Sequence, residues 1–206
     1  MGTYKVCTAK TEVHVLILGL DASGKTTVLE QMKAIFKRGV KAIPADRIRP
    51  TVGLNIGKMP VKDCTVTFWD LGGQTRVRSI WDKYYSEAHG LVFVLDSADV
   101  GRFEEARLAF DAVRDHADLD GVPFLLLANK QDLPGALTSE DIAVTLGIDA
   151  EAEVLGDGAQ EYALRGHAFR LQPASALTQA GIADGVSWLV EQARPLARWR
   201  AAGARR

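Results

Sequence analysis

Apolar and polar positions follow two rhythms along this chain, and from residue 13 onward the rhythms take turns. Val13–Leu18, Leu91–Leu95 and Val122–Ala128 are near-continuous apolar runs, the habit of strands buried on both faces. Elsewhere apolar residues recur at helical spacing. Val28, Leu29, Met32, Ile35 and Phe36 mark one stripe, on a helix predicted to start near Lys25. Phe103, Ala106, Phe110 and Val113 mark a second. Ile182, Val186, Leu189, Val190 and Ala193 mark a last helix that should close the fold. Leu54–Pro60 and Cys64–Trp69 flank Val61-Lys62-Asp63 and predict an antiparallel pair. Strand and helix signals in this order predict an α/β domain with a mostly parallel sheet flanked by helices on both sides.

Two segments break the rhythm. Gly39–Pro50 is polar, basic and poorly patterned, as a mobile loop is. Gly147–Gly166 holds four glycines among many Asp and Glu residues. It is long for a connection in an α/β domain and predicts a surface insertion, with a short helix near Ala159–Leu164. The expected layout is a short N-terminal segment over 1–11, one domain over 12–195, and a basic tail over 196–206. The tail and the turn before it carry Arg194, Arg198, Arg200, Arg205 and Arg206, and are read as solvated.

Composition adds limits rather than a function. A chain of 206 residues suits one large core, and 47% hydrophobic with 25% charged residues is ordinary for a globular domain. A net charge of -1 without clustered Lys and Arg in the body argues against nucleic acid as a partner. Cys7 and Cys64 are too few for a disulfide framework, so a reducing, cytoplasmic setting is expected. The sequence shows neither a run of 18 apolar residues nor a signal-peptide pattern; peripheral contact with a membrane stays open.

Chemistry concentrates where the apolar runs end. Gly19-Leu20-Asp21-Ala22-Ser23-Gly24-Lys25-Thr26 fits the phosphate-binding pattern G-x-x-x-x-G-K-[ST] directly after Val13–Leu18. Backbone N–H groups over Asp21, Ala22, Ser23 and Gly24 can converge on phosphate oxygens, Lys25 adds a positive charge, and the Thr26 hydroxyl can ligate magnesium. In Trp69-Asp70-Leu71-Gly72-Gly73-Gln74, Asp70 ends a strand and can hold magnesium through water. The Gly73 amide can meet a γ-phosphate and Gln74 can orient a hydrolytic water. Thr51, behind Pro50 in a flexible stretch, offers a further hydroxyl for the metal, engaged with a γ-phosphate present and released without it. Thr26, Thr51 and Asp70 thus form the expected metal set, and Gln74, Lys25, Thr51 and Gly73 the expected catalytic set. Asn129-Lys130-Gln131-Asp132 has the N-K-x-D form by which Ras-like GTPases read guanine, with Asp132 accepting from the base and the stem of Lys130 packing along it. Ser175-Ala176-Leu177 resembles the segment whose amide contacts the guanine oxygen.

With these residues in place the chain resembles an Arf-family small GTPase. The signatures are Gly19–Thr27 (GLDASGKTT, with Thr27 as a further nucleotide contact), Trp69–Gln74 (WDLGGQ) and Ala128–Asp132 (ANKQD). Thr51–Gly57 (TVGLNIG) and Ile80–Tyr85 (IWDKYY) are most similar to the Arf-related branch, which acts at the Golgi and trans-Golgi network. The resemblance implies a Ras-like G domain of the P-loop nucleoside triphosphate hydrolase class, with a mostly parallel sheet of six to seven strands flanked by helices, binding GTP or GDP with Mg2+. It implies slow hydrolysis aided by an activating protein, exchange promoted by another, and GTP-state effectors met by Leu54, Trp69 and Tyr84. It further implies a monomer that serves vesicle-mediated protein transport in contact with Golgi membranes. Arf proteins usually begin with a myristoylated glycine; here Gly2 is followed by Val6 where Ser or Thr would support the modification, and Tyr4, Val6 and Cys7 make no broad membrane face. Arg76 and Arg78, which follow Gln74, are read as solvated, and the sequence offers no obvious arginine finger in cis. The alternatives are a guanine-nucleotide scaffold with negligible hydrolysis, against which Gln74 argues, and an ATP-dependent enzyme, against which Asp132 argues.

Overall fold

The computed structural model describes residues 10–148, 153–154, 157–164 and 166–203. Met1–Ala9, with Gly2, Tyr4, Val6 and Cys7, lies outside the described residues, as do Arg205 and Arg206.

The first strand, β1 (Thr11–Leu18), is at the heart of the sheet, paired in parallel with β3 (Cys64–Leu71) on one side and β4 (Gly90–Asp96) on the other. Beyond β4 follow β5 (Phe124–Asn129) and β8 (His167–Pro173), again parallel. β2 (Leu54–Val61) runs antiparallel to β3 and forms one edge. Burial on both faces explains the apolar runs. Along β1, Leu16 and Leu18 join one core layer while Val13, Val15 and Ile17 join the other. Helices α1 (Lys25–Phe36) and α4 (Ile182–Gly203) cover the second layer through Val28, Leu29, Met32, Val186, Leu189 and Val190. The first layer is covered by α2 (Phe103–Arg114), α3 (Ser139–Thr145) and a 3-10 segment over Thr75–Glu87, through Phe110, Ile142, Trp81 and Tyr85.

Three expectations need correction. Among the described residues the sheet has eight strands, one more than the expected upper count of the same α/β fold, because the insertion joins it instead of looping over the surface. β6 (Glu153–Val154) and β7 (Gln160–Leu164) add antiparallel strands beyond β8. The short helix expected near Ala159–Leu164 is therefore β7. Its side chains alternate with period two: Gln160 and Tyr162 share a face and a 2.5 Å hydrogen bond, while Glu161 on the other face meets Arg170 at 3.2 Å. Tyr162 packs on Phe169 with ring centroids 5.7 Å apart, which turns a glycine-rich segment into an extension of the core.

The solvated tail is also different. α4 continues through Pro195 to Gly203, with Ala197 buried, so no boundary falls at 195. Arg200 donates from one nitrogen to the carbonyls of Ser86 and Ala88 at 2.8 and 2.9 Å, tying the helix end to the end of the 3-10 segment. Among the described residues no helix is long and apolar enough to cross a membrane.

Candidate functional site

The parallel strands deliver their carboxyl ends to one rim of the sheet, where the chain turns from strand to helix. β1 ends at Leu18 and the next residues make the phosphate loop. Gly19 takes φ +137°, and a Cβ there would lie 2.3 Å from the carbonyl oxygen of Val94. Gly24 takes φ +96°, with only 2.4 Å between its would-be Cβ and the Asn129 amide nitrogen. Both glycines are required by close approach as well as by left-handed backbone. The N-terminus of α1 follows at Lys25 and points its free N–H groups into the loop.

Lys25 is 5% exposed and its ammonium donates to the carbonyls of Gly19 at 3.0 Å and Leu20 at 2.6 Å. Burial pushes its pKa down to about 8, against the pull of Asp70 and Asp21. A phosphate would restore the partner that burial removes. Ser23 turns inward, its hydroxyl donating to Leu20 O at 2.9 Å, so only its backbone is available to a ligand.

Thr26, Thr51 and Asp70 converge. The Thr26 hydroxyl donates to Asp70 Oδ2 at 2.8 Å and stands 2.8 Å from the Thr51 hydroxyl, which donates to the same oxygen at 3.2 Å. Asn55, paired with Asp70 across β2 and β3, adds a contact at 3.5 Å. Asp70 is fully buried, and burial raises its pKa despite those hydroxyls and Lys25. Among the described residues its other oxygen, Oδ1, has no hydrogen-bond partner. A buried carboxylate oxygen left without a donor is costly, and a cation beside it removes the cost. Two hydroxyls and one carboxylate are hard oxygen donors suited to magnesium, which binds through few protein groups and keeps its waters. The residues fit the ion.

A cavity of about 280 Å³ opens over this set. Its lining comes from the phosphate loop and the start of α1 (Asp21, Lys25, Thr26), from the segment before β2 (Arg49, Thr51), and from Gly73 with Gln74 after β3. Gly73 lies directly on the loop, since a Cβ there would be 2.4 Å from the amide nitrogen of Asp21. Gln74 is half-buried and accepts from Arg76 Nε at 3.0 Å.

Arg78 is not a solvated residue. Its side chain is 16% exposed, with Nε donating to Gly73 O at 2.7 Å and a second nitrogen donating to Glu105 at 2.6 Å. Glu105 also accepts from Arg102 at 3.0 Å, and Arg102 donates to the Asp21 carboxylate at 2.8 Å. The network joins the Gly73 turn to the phosphate loop through α2. Spacing within the sequence held no sign of it, because its members are separated by whole elements.

The base-side residues form a second group, outside the lining of that cavity. Asn129 Nδ2 donates to Ser23 O at 2.8 Å and its Oδ1 accepts from the Ala176 amide at 2.9 Å. Asp132 is exposed and accepts from the Ser175 hydroxyl, which also accepts from the amides of Leu177 and Thr178 at 3.2 and 3.1 Å. Lys130, at φ +68°, pairs with Asp96 at 2.5 Å. Asn129 is thus a clamp between two loops, while Asp132 keeps a carboxylate oxygen at the surface for a base.

Leu54, Trp69 and Tyr84 gather on one face, with the Trp69 and Tyr84 rings 5.8 Å apart and all three half-buried. Ile56, opposite Trp69 in the hairpin and 55% exposed, extends this patch. Its signal was in the sequence: on β2 it shares the phase of Lys58 and Pro60, which point to solvent.

Residues 3–193 match the ADP-ribosylation factor family, Arf. The chain belongs to the Arf family. It is 43% identical to ADP-ribosylation factor-related protein 1 of Rattus norvegicus over 92% of this chain and 89% of the relative. ADP-ribosylation factor-like protein 3 of Saccharomyces cerevisiae is 38% identical over the same shares. The Arl6 BBS3 small GTPase of Trypanosoma brucei, solved with the nucleotide analogue GppNp, superposes with a TM-score of 0.70 at 33% identity, covering 89% of this chain and 98% of that one. The Ras-like fold, the GTP-hydrolase class and the use of GTP or GDP with Mg2+ follow from membership of this family.

Proposed function

We propose that this GTPase is a membrane-traffic switch whose nucleotide state is read at the hinge between Thr51 and the β2–β3 hairpin. The convergence of Thr26, Thr51 and Asp70 carries the reading, because Thr51 is the only member of that set on a loop without regular structure around it. Magnesium would be held by the two hydroxyls and, through water, by Asp70; when bound it neutralises charge on the phosphates. Lys25 and the loop amides would hold the phosphates, the Gly73 amide would meet the terminal one, and Gln74 would orient the attacking water. Loss of that phosphate frees Thr51, and with it the strand that begins three residues later at Leu54.

In the GTP state Leu54, Trp69, Tyr84 and Ile56 form the effector surface. An activating protein and an exchange factor set the lifetime of that state. The workplace is the Golgi and trans-Golgi network, reached from the cytoplasm by peripheral contact of a monomer. That assignment carries over from the likeness of Thr51–Gly57 and Ile80–Tyr85 to the Arf-related branch.

Competition binding on the purified chain tests the base of this reading. GDP and GTP displace a fluorescent guanine nucleotide in a magnesium-dependent way, and ATP competes poorly; equal competition by ATP would sink it. Affinity capture with GDP- and GTP-loaded protein then tests effector recruitment, and a carboxyl-terminal tag tests the Golgi address.

A further inference from the structure

We infer that Arg49 is an arginine acting in cis on the terminal phosphates of the bound nucleotide. The inference rests on the switch function proposed above and adds a residue to its hydrolytic machinery. Arg49 lines the same cavity as Lys25, Thr26, Thr51, Gly73 and Gln74. Other arginines near the site are committed: Arg78 to Gly73 and Glu105, Arg102 to Asp21 and Glu105, Arg76 to Gln74. Arg49 is exposed and, among the described residues, has no hydrogen bond or ion pair. Among the described residues it is a cation without a partner, in the lining of the cavity that also holds Lys25 and Thr26.

Its place in the chain adds an independent constraint. Thr51 is pinned at the metal site by Thr26 and Asp70, so the Cα of Arg49 lies within roughly 7 Å of the Cα of Thr51. Pro50 between them fixes φ and limits how far Arg49 can swing. When Thr51 is engaged, the guanidinium is therefore carried toward the nucleotide; when Thr51 is released, it leaves with the loop. Hydrolysis forms a bond from the water oxygen to the γ-phosphorus and breaks the bond from that phosphorus to the β–γ bridging oxygen. The electron pair goes to the β-phosphate, and the products are phosphate and GDP. A guanidinium donating to these oxygens stabilises the charge as it moves, and its planar fork suits two of them at once.

The test compares the parent, Arg49→Ala and Arg49→Lys in two measurements. The first is single-turnover GTP hydrolysis without any partner protein. The parent is expected near ~10⁻² per second, the range of GTPases with an arginine in cis, and Arg49→Ala about 10²-fold slower. The second measures formation of the complex with GDP and aluminium fluoride, which mimics the planar phosphoryl group. The parent forms it alone, Arg49→Ala does not, and Arg49→Lys is intermediate, while GDP affinity stays within about threefold across the set. A parent rate near ~10⁻⁴ per second, or an Arg49→Ala rate within about twofold of the parent, overturns the inference. Equal loss of GTP and GDP affinity with unchanged hydrolysis overturns it too. Failure of the parent to bind guanine nucleotide at all instead overturns the proposed function.

Discussion

The Asn129 carboxamide bridges two loops that are 106 residues and 47 residues away in sequence, donating to Ser23 O at 2.8 Å and accepting from the Ala176 amide at 2.9 Å. Both atoms of the amide are spent on protein. Asn129 therefore acts on nucleotide by holding the phosphate loop against the base loop. Asn129→Ala leaves a buried carbonyl and a buried amide unpaired, which costs about 1–3 kcal/mol for each group left unsatisfied. GTP and GDP affinity should fall together, by about 10- to 100-fold, with no gain in ATP binding. Asp132→Ala should instead erase the preference for guanine over adenine. Competition titrations on the two variants separate clamp from base reader; loss of guanine preference in Asn129→Ala would contradict the clamp.

Asp70 makes a prediction of opposite signs. Its Oδ1 is buried without a partner among the described residues, and burial raises its pKa. Asp70→Asn removes a buried charge while an amide can still accept from Thr26 and Thr51 through its oxygen. The nucleotide-free variant should therefore melt higher than the parent, by about 2–4 °C for each kcal/mol recovered. Its nucleotide affinity should lose its dependence on magnesium. Thermal melts with and without nucleotide, each with and without chelator, check both signs; a lower melting point in the nucleotide-free variant refutes the argument from the buried charge.

Much of the site was legible in the sequence because its parts sit at strand ends, where the pattern changes from apolar run to polar turn. Lys25, Thr26, Asp70, Asn129 and Asp132 all fall at such edges. Thr51 was legible only as a candidate, since nothing in its own neighbourhood ties it to Asp70; the tie is made across β2 and β3. Arg78 was misread because its partners Gly73 and Glu105 come together only when the 3-10 segment packs on α2. The insertion misled for a different reason. Glycines and acids at 147–158 hide a period-two segment at Gln160–Leu164, whose alternation shows only once Phe169 and Arg170 are beside it.

Lys25 sets a pH dependence. Its pKa in the folded protein lies near 8, below the ordinary lysine value of 10.5, because burial disfavours the charged form. Between those values the unfolded chain binds more protons at this site than the folded one, so the nucleotide-free protein gains stability as pH rises from about 8 toward 10.5. Nucleotide binding runs the other way. Phosphate needs the ammonium, so affinity should weaken above pH 8 with a limiting slope of about tenfold per pH unit. Titrations of GDP affinity at pH 7, 8 and 9 test this; a flat profile through about pH 9 would mean that another group holds the phosphates.

Arg170 tests how firmly the insertion is part of the domain. Its side chain is 9% exposed and donates to Asp157 at 2.9 Å, to Glu161 at 3.2 Å and to Gln172 at 2.9 Å. The two carboxylates are about a third exposed, so solvent screens them and the full cost of breaking a buried pair does not apply. Arg170→Leu should destabilise by about 1–2 kcal/mol and lower the melting point by about 2–8 °C. The metal and phosphate sets contain no residue of this cluster, so GDP affinity should remain within about threefold of the parent. Hydrogen exchange should rise over 157–164 and stay unchanged at β1 and β5. Exchange rising equally in the central strands would mean that the edge strands and the nucleotide-binding body open as one cooperative unit.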